Sequence, residues 1–251
     1  MIGLLLHQGQ RKLAEAEIAA LTGRSGSAIG RFFLLETGGI AKLRRLAFTR
    51  RIYTVARSGS RITSKELVVN LTKENAFQQR RAHLLPAPHP AMTHPRVARA
   101  MVNLSGARRE ILDPFCGAGG ILIEAALCGL RVTGSDIDAA MLQRARRNLD
   151  FFHLGEVKLC QQDAATFSGT CEAVVTDLPY GKNTVLASDQ DSLYLAFLRN
   201  IRRNRIPASV IGFPSTCDHR KLITKAKLTL RQEFTYYLHR SLSKLITVVT
   251  Q

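Results

Sequence analysis

One glycine-rich stretch, Asp113-Pro-Phe-Cys-Gly-Ala-Gly-Gly120, most narrows the folds open to this chain. It follows the apolar run Glu110–Leu112 and opens an apolar helical pattern over Gly120–Leu127. Glycine at such a turn lets the backbone come close to a ligand where a Cβ would collide. From residue 110 onward, strand and helix patterns alternate. Strands are predicted at Glu110–Leu112, Arg131–Ser135, Val157–Gln161, Ala173–Thr176 and Ala208–Phe213, and helices at Met141–Phe152, Leu193–Arg203 and from Asp218 to Leu228. Two late strands, Phe234–His239 and Lys244–Thr250, flank a Ser-Leu-Ser turn. This pattern predicts an α/β fold: a mostly parallel sheet covered on both faces and closed by a terminal β-hairpin.

Ahead of that lies a smaller α+β pattern. Ile2–His7 reads as a strand, Arg11–Leu21 as a helix capped by Gly23, Arg31–Thr37 as a strand, Ile40–Phe48 as a helix and Arg51–Val55 as a short strand. Residues 58–82 carry no clear period. Pro86, Pro88, Pro90 and Pro95 then mark a boundary, because proline removes an amide donor and disfavours helix before it. A helix is predicted from Thr93 or His94 to Gly106. The expected division is a basic unit over 1–82, a proline-rich linker with its leading helix over 83–109, and the alternating domain over 110–251.

The net charge of +17 is unevenly placed. Residues 1–110 hold 19 Lys and Arg against 6 Asp and Glu, and residues 111–251 hold 17 against 13. No acid occurs between Glu36 and Glu66, while Lys42, Arg44, Arg45, Arg50, Arg51, Arg57, Arg61 and Lys65 accumulate there. Such a segment favours a polyanion, since each neutralised phosphate releases counterions. A membrane partner is disfavoured: no stretch approaches the ~20 apolar residues of a membrane helix. The five cysteines form no CxxC pair, which argues against a zinc site or a disulfide framework and for reduced thiols in a cytoplasm.

The glycine turn has a companion. Asp136 ends the next strand, where a carboxylate can accept both ribose hydroxyls of an adenosine. The spacing is not G-x-G-x-x-G, and Asp113 would repel a pyrophosphate but face the ammonium of a methionine moiety. No G-K-[ST] follows, which disfavours ATP. S-adenosylmethionine (SAM) fits best. Asp163, after the third strand, can accept from the adenine amino group, while Asp138 is expected to cap the following helix.

Asp177-Leu178-Pro179-Tyr180 ends another apolar strand. An amine on a heteroaromatic ring is a poor nucleophile because its lone pair is delocalised. A carboxylate oxygen and a backbone carbonyl that accept its two hydrogens turn that lone pair outward. Proline stiffens the turn so that the Leu178 carbonyl points inward, and Tyr180 stacks on a base drawn out of its helix. Alone the segment could be a simple turn; one strand over from the glycine turn, it points to N-methyl transfer.

Residues 86–251 resemble the THUMP-associated tRNA guanosine N2-methyltransferases, especially the archaeal enzymes that act on guanosine 10. The resemblance is carried by His89-Pro-Ala-Met-Thr-His-Pro-Arg-Val-Ala-Arg99, the glycine turn, Gly134-Ser-Asp-Ile-Asp138, Asp177–Gly181 and His239-Arg-Ser-Leu-Ser-Lys244. It implies a class I, Rossmann-like SAM-dependent methyltransferase with a small N-terminal ferredoxin-like unit. It implies a cofactor site of Asp113, Phe115, Cys116, Gly117, Gly119, Gly120, Asp136, Ile137, Asp163 and Ala164, with Met92 at its mouth. It also implies that Asp177, Leu178, Pro179 and Tyr180 hold the guanine. The chain departs from the family in two ways. Leu178 stands where the motif usually has a first proline. Only about thirty residues separate the ferredoxin-like piece from the proline boundary, too few for a THUMP domain. Grip on tRNA is then expected from the basic unit, a second subunit or a partner protein. The alternatives are amino transfer to rRNA guanine, DNA adenine or protein glutamine, and a SAM-binding RNA-binding subunit without catalysis.

Overall fold

The computed structural model describes residues 1–29, 32–36, 40–58, 61–68, 71, 75–179, 187–239 and 242–251. The N-terminal unit contains β1 (Ile2–Leu6), α1 (Arg11–Thr22), β2 (Ser27–Ile29), β3 (Phe32–Leu35), α2 (Ile40–Leu43), β4 (Thr49–Ser58) and β5 (Arg61–Val68). Its strands lie in the order β2-β3-β1-β4-β5, and each neighbouring pair is antiparallel. The first four strands and two helices form the βαββαβ arrangement of a ferredoxin-like unit, and β5 adds an edge. Period-2 alternation divides its apolar residues. Phe33 and Leu35 join Ile18 of α1, and Phe32 and Leu34 join Tyr53 and Val55.

Three local expectations change here. The helix predicted over Ile40–Phe48 ends at Leu43. The amides of Ala47 and Phe48 donate instead to the buried Glu17 carboxylate, at 2.6 and 3.2 Å. The strand expected at Arg51–Val55 extends to Thr49–Ser58 because β1 and β5 pair with it on both sides. The strands β2 and β5 carry too weak a period to be read from sequence.

The second unit opens with α3 (Pro95–Leu104). It continues through β6 (Glu110–Asp113), α4 (Gly120–Ala126), β7 (Arg131–Asp136), α5 (Ala139–Phe151), β8 (Lys158–Gln161) and β9 (Ala173–Asp177). Then follow α6 (Ala187–Arg203), β10 (Ala208–Pro214), α7 (His219–Lys225), β11 (Thr229–His239) and β12 (Leu242–Thr250). The sheet order is β11-β12-β10-β9-β6-β7-β8. The five strands from β10 to β8 are parallel, and β12 is antiparallel to both of its neighbours. The expected mostly parallel sheet with its terminal hairpin is present. The chain winds outward from β6 through β7 to β8, then crosses back to β9. That reversal opens a crevice beyond the carboxyl ends of β6 and β9, the usual ligand position in such sheets.

The helix after the prolines is more than a lead-in. Every residue of α3 except Arg96 is buried. Val97, Ala98 and Met101 share one apolar cluster with Leu13, Ala14 and Phe48 of the N-terminal unit and with Ile121 and Leu122 of α4. The two units therefore share a core across the expected boundary.

Candidate active site at the sheet rim

The glycine turn after β6 needs glycine for its backbone. Gly117 and Gly119 have φ of 49° and 90°, the left-handed region that side chains disfavour. A Cβ on Gly119 would also press on Ala145 of α5 at 3.4 Å. Thr93 and Met92 lie against Gly120, which places Met92 beside the turn.

Four carboxylates stand around this rim. Asp113, 1% exposed, accepts through Oδ1 from Thr176 Oγ1 at 2.6 Å and from the Phe115 amide at 3.2 Å. Burial pushes its carboxyl up to about 7, and the nearby Asp136 and Asp177 add to the rise. Asp136 accepts from the Gly117 amide at 2.8 Å and from the Asp138 amide at 3.0 Å, so it braces the glycine turn. Asp138 caps α5 as expected, accepting from the Ala140 amide at 2.7 Å. Asp163 forms a tight turn by accepting from the Ala165 amide at 2.8 Å.

The flanking residues divide by burial. Ile137, just past β7, is 68% exposed. Cys116 is buried, which pushes its thiol up. Ala164 is buried, and its carbonyl accepts from Asn200 at 3.2 Å. Phe115 meets Phe197 of α6 edge-on, with centroids 5.1 Å apart.

Asp177 ends β9, one residue past the Thr176 that bonds Asp113. The Asp113 and Asp177 turns thus leave adjacent parallel strands and share one hydroxyl link. Asp177 Oδ2 accepts from Thr93 Oγ1 at 2.5 Å and from Lys244 Nζ. Lys244 also donates to Thr93 at 3.1 Å and is 2% exposed. Asp177 Oδ1 is buried and has no hydrogen-bond partner among the described residues. A Cβ on Gly212 would collide with that oxygen.

Leu178 puts its side chain into the cluster of Tyr194, Phe197 and Phe213, and its amide donates to the Gly212 carbonyl at 3.0 Å. Leucine thus replaces a proline ring with core packing. The Pro179 carbonyl accepts from Tyr194 Oη. Tyr180 lies outside the described residues.

Sequence reasoning missed Thr93, Thr176, Gly212 and Lys244 as parts of this site. Lys244 carried two available signals: it closes the His239–Lys244 stretch that carries the resemblance, and it occupies an inward position of the apolar run of β12. Of the basic N-terminal run, Lys42, Arg44 and Arg50 are exposed, but Arg45 turns inward, with Nε and one terminal nitrogen buried.

Strand order, the reversal between β6 and β9, and the glycine turn with its rim of carboxylates define a class I SAM-dependent methyltransferase fold. The family model for the RMKL-like methyltransferase domain, UPF0020, matches residues 83–244, and the chain belongs to that family. It is 37% identical over 195 residues to the tRNA (guanine(10)-N2)-dimethyltransferase of Methanothermobacter thermautotrophicus, covering 75% of this chain and 57% of that protein. It is 40% identical over 173 residues to the protein of the same name from Pyrococcus abyssi, covering 67% and 53%. The chain spans about half the length of these curated relatives. Among solved structures, TrmN from Thermus thermophilus aligns over 100% of this chain and 99% of its own, with a TM-score of 0.61 at 15% identity. That likeness shows the fold. Among the described residues, no helix is long and apolar enough to cross a membrane.

Proposed function

We propose that this chain is a SAM-dependent methyltransferase acting on the exocyclic N2 amine of a guanosine in tRNA, of the position-10 type. The observation that carries this reading is the hydroxyl link between two adjacent strand ends. It sets the buried Asp113 beside Asp177, whose Oδ1 has no hydrogen-bond partner among the described residues. The cofactor fits the residues present. Among the described residues, Asp113 is a buried carboxylate satisfied by one hydroxyl and one amide, and a cationic ligand would offset its desolvation. Asp113 would hold the ammonium, Asp136 the ribose hydroxyls and Asp163 the adenine amine, with Met92 and Ile137 beside them. Bound SAM would supply a methyl group made electrophilic by its sulfonium.

The chain's own work is at Asp177. Its carboxylate accepts a hydrogen of the guanine amine and orients the lone pair, with Pro179 two residues on. Positioning of this kind supplies much of a transfer rate. The curated relatives named above favour guanosine in tRNA over the other amines.

The test is incubation with labelled SAM and an unmodified tRNA transcript, followed by digestion and identification of the methylated nucleoside. N2-methylguanosine is expected. Asp177→Ala should slow transfer by about 10²–10⁴-fold with SAM affinity retained. Label on another amine would move the reading to rRNA, DNA or protein. SAM binding without transfer would make the chain a non-catalytic subunit. Near-normal turnover by Asp177→Ala would remove the catalytic assignment.

A further inference from the structure

We infer that the seam between the two units, formed by His7, Phe48, Arg50, Arg81, Arg96 and Tyr236, docks RNA backbone phosphates beside the reactive base. This inference rests on the proposed action on tRNA and names where the strand lies.

Location is the first argument. Arg96 is three residues from Thr93, which bonds Asp177 directly. Tyr236 is the cross-strand partner of Lys244, which bonds the same carboxylate oxygen. The seam therefore borders the catalytic rim.

Its construction is the second. His7 meets Phe48 edge-on at 6.2 Å, and Phe48 meets Tyr236 at 6.3 Å. The Arg96 guanidinium lies 6.0 Å from the Phe48 centroid and 5.8 Å from that of Phe77. Two rings thus fix this cation in place, as cation–π contacts do. Arg96 Nε and His7 Nδ1 are buried and have no hydrogen-bond partner among the described residues.

Charge is the third argument. Arg80 and Arg99 nearby are committed to the buried Glu124, at 2.6 and 2.8 Å. Among the described residues, no comparable acid pairs with Arg50, Arg81 or Arg96. Burial and these cations disfavour charge on the neighbouring rings: His7 is pushed down by desolvation, Arg96 and Arg50, and His94 by desolvation, Arg81 and Arg96. Cations crowded without a counterion raise the energy of the free protein. A polyanion relieves that repulsion and adds counterion release. The half-buried rings of His7 and Tyr236 beside these cations suit a strand whose bases are unstacked.

Fluorescence anisotropy with an unmodified tRNA transcript, from about 50 to about 300 mM salt, tests this. The Arg50→Gln/Arg96→Gln variant should bind roughly tenfold more weakly near 100 mM salt, with a log–log salt slope smaller by about 1 to 2. Its affinity for SAM should be unchanged. Arg50 is exposed, so Arg50→Gln alone leaves the fold intact and should give about half the loss in slope. An unchanged slope and affinity in Arg50→Gln, with wild-type protein that binds and methylates tRNA, would overturn the seam and leave the proposed activity standing. Wild-type protein that does not bind RNA but methylates another amine would overturn both.

Discussion

At the scale of single residues, one oxygen of Asp177 is committed and the other has no partner among the described residues. Lys244 and Thr93 both hold Oδ2, and Gly212 leaves room for Oδ1. Lys244 thereby positions the carboxylate through a nearly water-free ion pair. Removing one member of such a pair strands a buried charge. Lys244→Met is expected to cost about 3 kcal/mol of stability in chemical denaturation. It should also slow transfer by roughly 100-fold, since the carboxylate loses its fixed orientation. Adding Asp177→Asn should restore most of the stability and none of the activity. A double variant as unstable as the sum of the two single variants would show that the pair does not couple. Asp177 was visible in the sequence because proline and an aromatic follow it at a strand end. Lys244 and Thr93 were not, because they reach Asp177 from 67 and 84 residues away. A lysine at the start of a strand reads as solvated until the facing strands are known.

At the scale of elements, α3 shows what local sequence can and cannot fix. Its start was legible: Pro95 occupies the first helical position, where its missing amide is harmless. The cap is His94, whose Nδ1 accepts from the Arg96 amide at 3.2 Å. That bond needs a neutral ring. Desolvation first, then Arg81 and Arg96, pushes His94 down to about 4 from 6.5. Between those values the unfolded chain binds more protons than the folded one. The contribution of His94 to stability is therefore present above pH 6.5 and lost as the pH falls toward about 4. His94→Ser keeps a capping oxygen without titrating. The stability of wild-type protein relative to His94→Ser should thus decline from pH 6.5 to 4 in thermal melts, and a constant difference would exclude the ring as the titrating cap. Other boundaries were hidden for a tertiary reason. The chain leaves α2 early because Glu17, thirty residues before Ala47, captures two amides. Likewise, β4 runs long because both of its edges are paired.

At the scale of the whole molecule, the alternation after residue 110 was enough to give a mostly parallel sheet, and the glycine turn marked its ligand end. Fusion of the two units was not legible, because it depends on contacts far apart in sequence. The apolar cluster is continuous from Leu13 through Met101 to Ile246. At its centre lies a polar knot. Asn103 of α3 donates from Nδ2 to Glu17 Oε1 at 2.6 Å and to the Arg45 carbonyl at 2.9 Å. Glu17 in turn accepts the Ala47 and Phe48 amides just ahead of β4. One amide side chain therefore ties α1, the entry to β4 and the helix that supports the glycine turn. Asn103→Leu leaves the Glu17 oxygen and the Arg45 carbonyl each short of a donor inside the core. The cost should be about 3 kcal/mol, since each deprived buried group costs about 1–3 kcal/mol. Because the apolar cluster crosses the boundary, the loss should lower a single unfolding transition and not split it. Differential scanning calorimetry of wild type and variant reads both features. Two separated peaks in the wild-type protein would show that the units melt independently, and the seam beside Asp177 would then lack the rigidity that a phosphate dock requires.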